Sequence, residues 1–326
     1  TNPEPLAPFI DLFCIGDGEE LIDELLRKFL DLREKLGDSA RWSTDDRRVI
    51  LEELAQIEGV YWPSTYSLDT TSVFVVPYDS ADADRRVFAR RIFDLDAAPF
   101  PTRPPVPWAK TVHDRAQIEI ARGCTRGCRF CHAGMVYRPV RERSVDTLVR
   151  MAEELIDNTG YDEISLVALN CPDYRRINEL VDSLQEALSG RGVSIGLPSL
   201  RVDTVSVELA QKVAQVRKGS MTLAPEAGTQ RLRDVINKNV RDQDLFAAAE
   251  AAFEAGWLTV KLYFMIGLPT EGDEDLEGIV TMVERVARTG AAVLLKHIAP
   301  MEEASSAPAR GLERGTVDET SGARGR

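Results

Sequence analysis

Ala121-Arg122-Gly123-Cys124-Thr125-Arg126-Gly127-Cys128-Arg129-Phe130-Cys131-His132 holds three of the chain's five cysteines, spaced Cys-x3-Cys-x2-Cys. Just before it, Gln117-Ile118-Glu119-Ile120 alternates like the end of a buried strand. Glycines at 123, 127 and 134 allow tight turns, so the three thiolates can point at one centre. Three thiolates are one too few for the usual all-cysteine iron–sulfur or zinc site. A cubane cluster held by three leaves one iron with an open position, where a small molecule can be bound and activated. The alternative is a zinc site completed by His132 or His113. Zinc knuckles draw ligand pairs from two separate segments, and the sequence offers no second pair. His132 adjoins a ligand, so its side chain is expected to point away and line a pocket wall. An electron-transfer cluster would need a fourth cysteine, for which Cys171 is the candidate.

Composition sets the bounds. The chain has 326 residues, enough for one large domain and a smaller one. At 44% hydrophobic and 29% charged residues it reads as a water-soluble globular protein. No apolar run reaches bilayer length and no signal peptide opens the chain, so no membrane partner is expected. The net charge of −13 argues against a broad nucleic-acid surface but leaves room for a local basic groove. Three clustered thiols among five cysteines do not make a disulfide framework, and a thiolate site needs a reducing compartment, by default the cytoplasm. The chain opens at Thr1 without Met, so an upstream portion is expected.

Residues 9–15 read as a buried strand containing Cys14, followed by the turn Gly16-Asp17-Gly18-Glu19-Glu20 and a helical stripe from Glu20 to Leu36. Thr44 to Ile57 forms an amphipathic helix, with Asp45 and Asp46 in its first turn. Val73–Pro77 and Arg85–Phe93 read as short strands. The prolines of 99–107 exclude helix and central strand, so a linker and domain boundary fall there. From Gln117 strands alternate with helices. Strands are expected at 117–121, 163–169, 193–197, 219–224, 258–265 and 291–298. Helices are expected at 144–158, 174–189, 206–216, 228–236, 242–255 and 274–289. That order predicts an α/β domain with a parallel sheet and helices outside. The organisation is therefore 1–40, a strand–turn–helix unit; 41–110, a β-rich connector and Pro-rich linker; 111–300, the core domain; and 301–326, a disordered tail.

The cysteine spacing, with an aromatic before the third cysteine, resembles the radical S-adenosylmethionine (SAM) superfamily. Ile118–Val140, Leu197–Asp203, Thr222–Arg233 and Gly267–Leu276 are similar to an uncharacterised family within it, whose members often carry an N-terminal cobalamin-binding domain. The resemblance implies a partial (β/α)6 TIM-like barrel, preceded by a remnant of a Rossmann-like, cobalamin-binding-like domain. It implies a [4Fe-4S] cluster on Cys124, Cys128 and Cys131 and reductive cleavage of SAM to a 5′-deoxyadenosyl radical acting on an unknown substrate. An electron donor such as flavodoxin or ferredoxin is the implied partner. The cobalt-ligating histidine motif of such families would lie upstream of Thr1, so cobalamin is not expected to bind this chain tightly. A tRNA methylthiotransferase would need three further cysteines upstream, where only Cys14 stands.

The same resemblance assigns cofactor contacts. Phe130 packs near the adenine, or merely packs the loop. The Gly-Gly-Glu-like motif for the methionine ammonium is missing after strand two, where Asn170 and Asp173 are the substitutes and Cys171 reaches the rim. Asp173 has a rival reading as a helix N-cap. Arg201 suits bidentate capture of a carboxylate, or pairs with Asp203 on the surface. Glu226 is an acceptor for ribose hydroxyls or the ammonium, or else a helix-start carboxylate. Arg231 or Arg233 could reach the methionine carboxylate. Gly267 would allow close approach of the cofactor, or marks a plain Gly-Pro turn. Of these contacts, the resemblance bears most specifically on the three cysteines.

Overall fold

The computed structural model describes residues 2–37, 41–69, 74–77, 86–109, 111–112, 114–197 and 221–305. Its N-terminal part is a 3-10 turn (Glu4–Phe9), β1 (Phe13–Cys14), α1 (Gly18–Leu36), α2 (Thr44–Leu54) and β2 (Val60–Tyr61). β1 pairs antiparallel with β2. The expected strand over 9–15 shrinks to two residues because Pro5 and Pro8, which lack amide donors, leave the preceding segment in the 3-10 turn. Cys14 is exposed, not buried, since so short a strand covers little of either face. Ser43 caps α2: its hydroxyl accepts the Asp46 N–H at 3.1 Å, and the Asp46 carboxylate accepts the Ser43 N–H at 2.8 Å. Leu21 of α1 packs against Ile50, Leu54, Ile57 and Val60.

In the connector, β3 (Tyr66–Asp69) pairs antiparallel with β4 (Phe74–Pro77). The expected strand over 85–93 does not form. Arg90 makes one bridge to Gly16, exchanging hydrogen bonds with Ile15 and Asp17 at 2.9 Å, and pairing goes no further because the chain turns at Gly16. The proline stretch is neither helix nor strand. Its Phe100 packs against the next core, 5.8 Å from the Arg143 guanidinium.

The core domain follows: β5 (Ala116–Glu119), β6 (Ala121–Arg122), α3 (His132–Val136), β7 (Arg141–Glu142), α4 (Val145–Thr159), β8 (Glu163–Val167), α5 (Ile177–Ala187), β9 (Ser194–Gly196), β10 (Met221–Glu226), α6 (Gln230–Val235), α7 (Asp242–Glu254), β11 (Val260–Phe264) and α8 (Asp273–Ser305). β8 lies between β5 and β9, all parallel, with Ile118 opposite Leu166 and Ile164 opposite Ile195. β10 and β11 form a second parallel pair. Ile118, Ile120, Ile164 and Leu166 are fully buried against Leu148, Leu155, Leu180 and Leu184 of α4 and α5. These are the parallel strands and covering helices that strand–helix alternation predicts, in the partial TIM-like α/β architecture that the resemblance implies. The helix expected at 206–216 lies outside the described residues.

In the core domain a further expected strand is overturned. Residues 291–298 continue α8, which runs unbroken to Ser305. Ala291, Ala292, Leu294, Leu295 and Lys296 are strong helix formers, and a short apolar run alone does not separate strand from helix. Gly290 does not stop the helix, because it lies against the Phe253 ring, which a Cβ would approach to 2.7 Å. The expected disorder from 301 is likewise wrong for Met301–Ser305, which close this helix; 306–326 lie outside the described residues.

The acidic turn before α1 docks on the core domain. Asp17 is 6% exposed and Arg141 equally so, and the two form a direct ion pair. The same carboxylate accepts the Ile92 N–H at 2.8 Å, and Arg122 lies 3.5 Å from it. Arg122 also pairs with Glu19 and, at 2.8 Å, with Glu119. Burial pushes the Asp17 carboxyl up, but the Ile92 N–H and the Arg141 and Arg122 guanidiniums outweigh it and hold the group below the ordinary carboxylate range. A depressed folded pKa contributes stability above the unfolded value and loses it as pH falls. Asp17→Asn is therefore expected to cost about 3 kcal/mol at neutral pH by leaving Arg141 buried without its counter-charge. Below pH of about 4 the gap to the parent should close as the parent's own carboxyl takes up a proton. Urea midpoints at the two pH values check this, and a gap independent of pH would contradict it.

Candidate functional site

β6 and β7 form a small antiparallel hairpin that carries the cysteine loop at the C-terminal end of β5. Gly123 closes the loop. It sits at φ +86, and a Cβ there would lie 2.7 Å from both the Tyr137 and Pro139 carbonyl oxygens. Gly127 is small for a different reason, since a Cβ would stand 2.9 Å from the Asn237 amide nitrogen. Cys128 is buried; Cys124 and Cys131 are half-buried. Cys131 caps α3, its sulfur accepting the Gly134 N–H at 3.3 Å, and the Cys124 sulfur accepts the Arg126 N–H at 3.4 Å. Among the described residues no group of three or more His, Cys, Asp or Glu is arranged to hold a metal ion. The donor set nevertheless fits an iron–sulfur group. Three thiols share one short loop, and backbone N–H groups aimed at two of the sulfurs are the kind of hydrogen bond that tunes such clusters. His132 is exposed.

The loop is fixed from two sides. Arg126 makes a two-pronged pair with Asp173 at 2.9 and 2.7 Å, and its carbonyl accepts from Arg138 at 2.9 Å. On the other side, Asn237 donates to the Gly127 carbonyl at 2.7 Å and the Arg129 N–H reaches the Ile236 carbonyl at 2.9 Å. These partners follow α6, which ends in a Schellman turn. Asn237, at φ +55, donates its N–H to Asp234, and the Lys238 N–H reaches back to Arg233 at 2.8 Å. Asparagine tolerates the left-handed conformation, so the Ile-Asn-Lys sequence after an amphipathic helix was the signal that could have found this segment.

Glu226 ends β10 at φ +70, a left-handed conformation rare for glutamate. Pro225 before it has no N–H for the ladder. The register slips between Leu223 and Glu226, so that three steps on β10 match two on β11. A bulge of this kind re-aims the side chain beyond it. The Glu226 carboxylate lies 3.0 Å from the Lys238 ammonium, itself 7% exposed and 5.8 Å from the centre of the Phe130 ring. Lys238, Asn237 and Arg126 were not singled out by the sequence.

Beside Cys124 lies a cavity of about 290 Å³ lined also by Gly123, Val140, Ala168 and Asn170. Asn170 is 6% exposed, and neither its amide oxygen nor its amide nitrogen has a partner. Leaving both unsatisfied is costly, so a polar ligand in the cavity has a ready anchor. Asp173 is committed to Arg126 and lies in a 3-10 turn ahead of α5 without capping it. Cys171 does not face the rim: it is fully buried and donates to the Leu166 carbonyl at 3.2 Å. Arg231 bonds the Thr270 carbonyl at 2.9 Å and pairs with Asp275. Arg233 is buried, donating to the Val240 and Ala227 carbonyls and pairing with Asp242. The Gly267 N–H donates to Glu271 at 2.6 Å. Arg201 and Asp203 lie outside the described residues, as does His113.

An uncharacterized protein of Methanocaldococcus jannaschii is 31% identical over 87% of this chain and 53% of its own length. The tRNA-2-methylthio-N(6)-dimethylallyladenosine synthase of Syntrophomonas wolfei is 28% identical over 56% of this chain and 42% of its own. The chain thus spans about half the length of the curated relatives it matches. Two solved structures share the fold. One is the radical SAM methyltransferase TsrM from Kitasatospora setae with cobalamin and [4Fe-4S] cluster bound, with a TM-score of 0.57, 13% identity, and coverage of 87% of this chain and 53% of that one. The other is the cobalamin-dependent SAM radical enzyme OxsB with aqua-cobalamin and SAM bound, with a TM-score of 0.56, 14% identity, and coverage of 86% and 37%. A model described as radical SAM proteins, N-terminal, matches residues 1–63. Because the radical SAM superfamily model matches residues 118–283, half of the chain and the whole of the cysteine loop with its surrounding strands, the chain belongs to the radical SAM superfamily.

Proposed function

We propose that this chain is the cluster- and SAM-binding part of a radical SAM enzyme. The observation that carries the reading is the unpartnered, buried amide of Asn170, a residue that lines the same cavity as Cys124. Cys124, Cys128 and Cys131 would hold a [4Fe-4S] cluster, their three thiolates being one short of a full ligand set and so leaving a position for SAM. When bound and reduced by its electron donor, that group would supply the one electron that splits SAM into methionine and a 5′-deoxyadenosyl radical for hydrogen abstraction. The rest is positioning by the chain. The Asn170 oxygen accepts from the methionine ammonium. Glu226, re-aimed by the bulge, accepts from the ribose hydroxyls or the same ammonium. Phe130 lies against the adenine, Gly267 allows its close approach, and Arg201 or Arg231 takes the methionine carboxylate. Asp173 acts at one remove, by fixing Arg126 in the loop.

The electron donor is of the flavodoxin or ferredoxin class, and the other partners are small molecules. Among the described residues no helix is long and apolar enough to cross a membrane. In the acidic turn, Asp17 and Glu19 are engaged with Arg141 and Arg122. Cytoplasmic residence follows from the thiolate chemistry.

Replacing Cys124, Cys128 or Cys131 with Ala should abolish the visible absorption of the anaerobically reconstituted protein, while Cys14→Ala should keep it. Full absorption in all three single variants would sink the ligand assignment. Asn170→Leu separates the site from the scaffold. It removes an unsatisfied buried amide, so the ligand-free protein should unfold at the same or higher urea concentration. It also removes a charge-assisted hydrogen bond worth about 1.5–3 kcal/mol, so SAM affinity should fall by about one to two decades. A destabilised variant with unchanged affinity would make Asn170 structural only.

A further inference from the structure

Lys238 stands where the two halves of the site meet. Its ammonium is 3.0 Å from Glu226 at the end of β10 and 5.8 Å from the ring centre of Phe130 in the cysteine loop. Residue 237, next to it, holds the Gly127 carbonyl, and residue 236 holds the Arg129 N–H. One Schellman turn therefore carries both the contacts that pin the loop and the cation that meets the strand end. An ammonium 7% exposed is not kept there by solvation. It is offset by a carboxylate on one side and an aromatic face on the other. Glu226 in turn sits in a left-handed conformation, a strained backbone of the kind that the surrounding structure has to hold in place.

We infer that Lys238 is a positioning residue for the SAM site: it sets the Glu226 carboxylate and the Phe130 ring in one arrangement, so that the strand-end acceptor and the aromatic before Cys131 are presented together. The inference rests on the reading of Glu226 given above. Lys238 does not itself touch the ligand. It holds the Glu226 carboxylate in one direction through the 3.0 Å contact, and it packs against the Phe130 ring. Arginine can keep the charge and the ring contact; methionine keeps the length and the packing and loses both.

The test is a double-mutant cycle on SAM affinity, measured by equilibrium dialysis of labelled SAM with the anaerobically reconstituted protein, with iron and sulfide content and the thermal midpoint recorded for each variant. Glu226→Gln and Lys238→Met are each expected to weaken binding about tenfold or more, because each disables one charge-assisted contact. The pair together should be little weaker than either alone. Lys238→Arg should recover most of the affinity. Iron and sulfide should match the parent throughout, since none of these side chains is a ligand. If Glu226→Gln binds normally, the Glu226 reading fails and takes this inference with it. If Glu226→Gln is weak while Lys238→Met binds normally, or the two losses add in full, only the Lys238 inference is overturned. Should Lys238→Met fold poorly, Lys238→Gln takes its place in the same cycle with the same outcomes.

Discussion

The site depends on a chain crossing at Gly123. There the segment entering the cysteine loop passes so close to the segment leaving it that the Tyr137 and Pro139 carbonyls occupy the space of a side chain. That crossing closes the loop over β6 and β7 and confines three cysteines to one short arc. A backbone held at φ +86 with no room for a Cβ admits glycine and little else. Everything that follows is a matter of which elements grip the closed loop, and from which side.

The grip is largely electrostatic. The chain carries a net charge of −13, yet the loop and its flanks are rich in arginine, at 122, 126, 129, 138, 141 and 143. Acids from elsewhere meet these cations: Asp17 and Glu19 from the N-terminal turn, Glu119 from β5 and Asp173 from the rim beyond β8. Buried pairs of this kind add little net stability, but they are specific, because removing one partner strands the other. The acidic Gly-Asp-Gly-Glu-Glu turn thus serves as a clasp between the N-terminal unit and the core domain. Lys238 repeats the logic at the far side of the loop, between Glu226 and Phe130.

Among the described residues, the strand–helix alternation of 117–197 and 221–264 was legible because buried strands and amphipathic helices write their period into the sequence. Where local pattern was ambiguous, the reading failed. The Ala- and Leu-rich stretch at 291–298 fits a buried strand or a helix equally well, and the helix already running through it decided the matter. Strand 85–93 failed because a strand needs a partner along its length and Gly16 supplies one bridge only. At the site, Asn170 and Glu226 were readable as polar groups at strand ends. Lys238 was not, since its role comes from a turn that brings residues 130, 226 and 238 together across the chain. Asp173 looked free in the sequence for the same reason: its partner, Arg126, lies 47 positions away.

The central claim is that three thiols on the crossed loop make a cluster with one iron left open for SAM. Electron paramagnetic resonance of the reduced, anaerobically reconstituted protein, recorded with and without SAM and paired with metal analysis, tests it most directly. The account requires iron and acid-labile sulfide in equal amounts and a cluster signal whose g values move when SAM is added. Bound zinc without sulfide, or a cluster signal that SAM leaves unchanged, would contradict it.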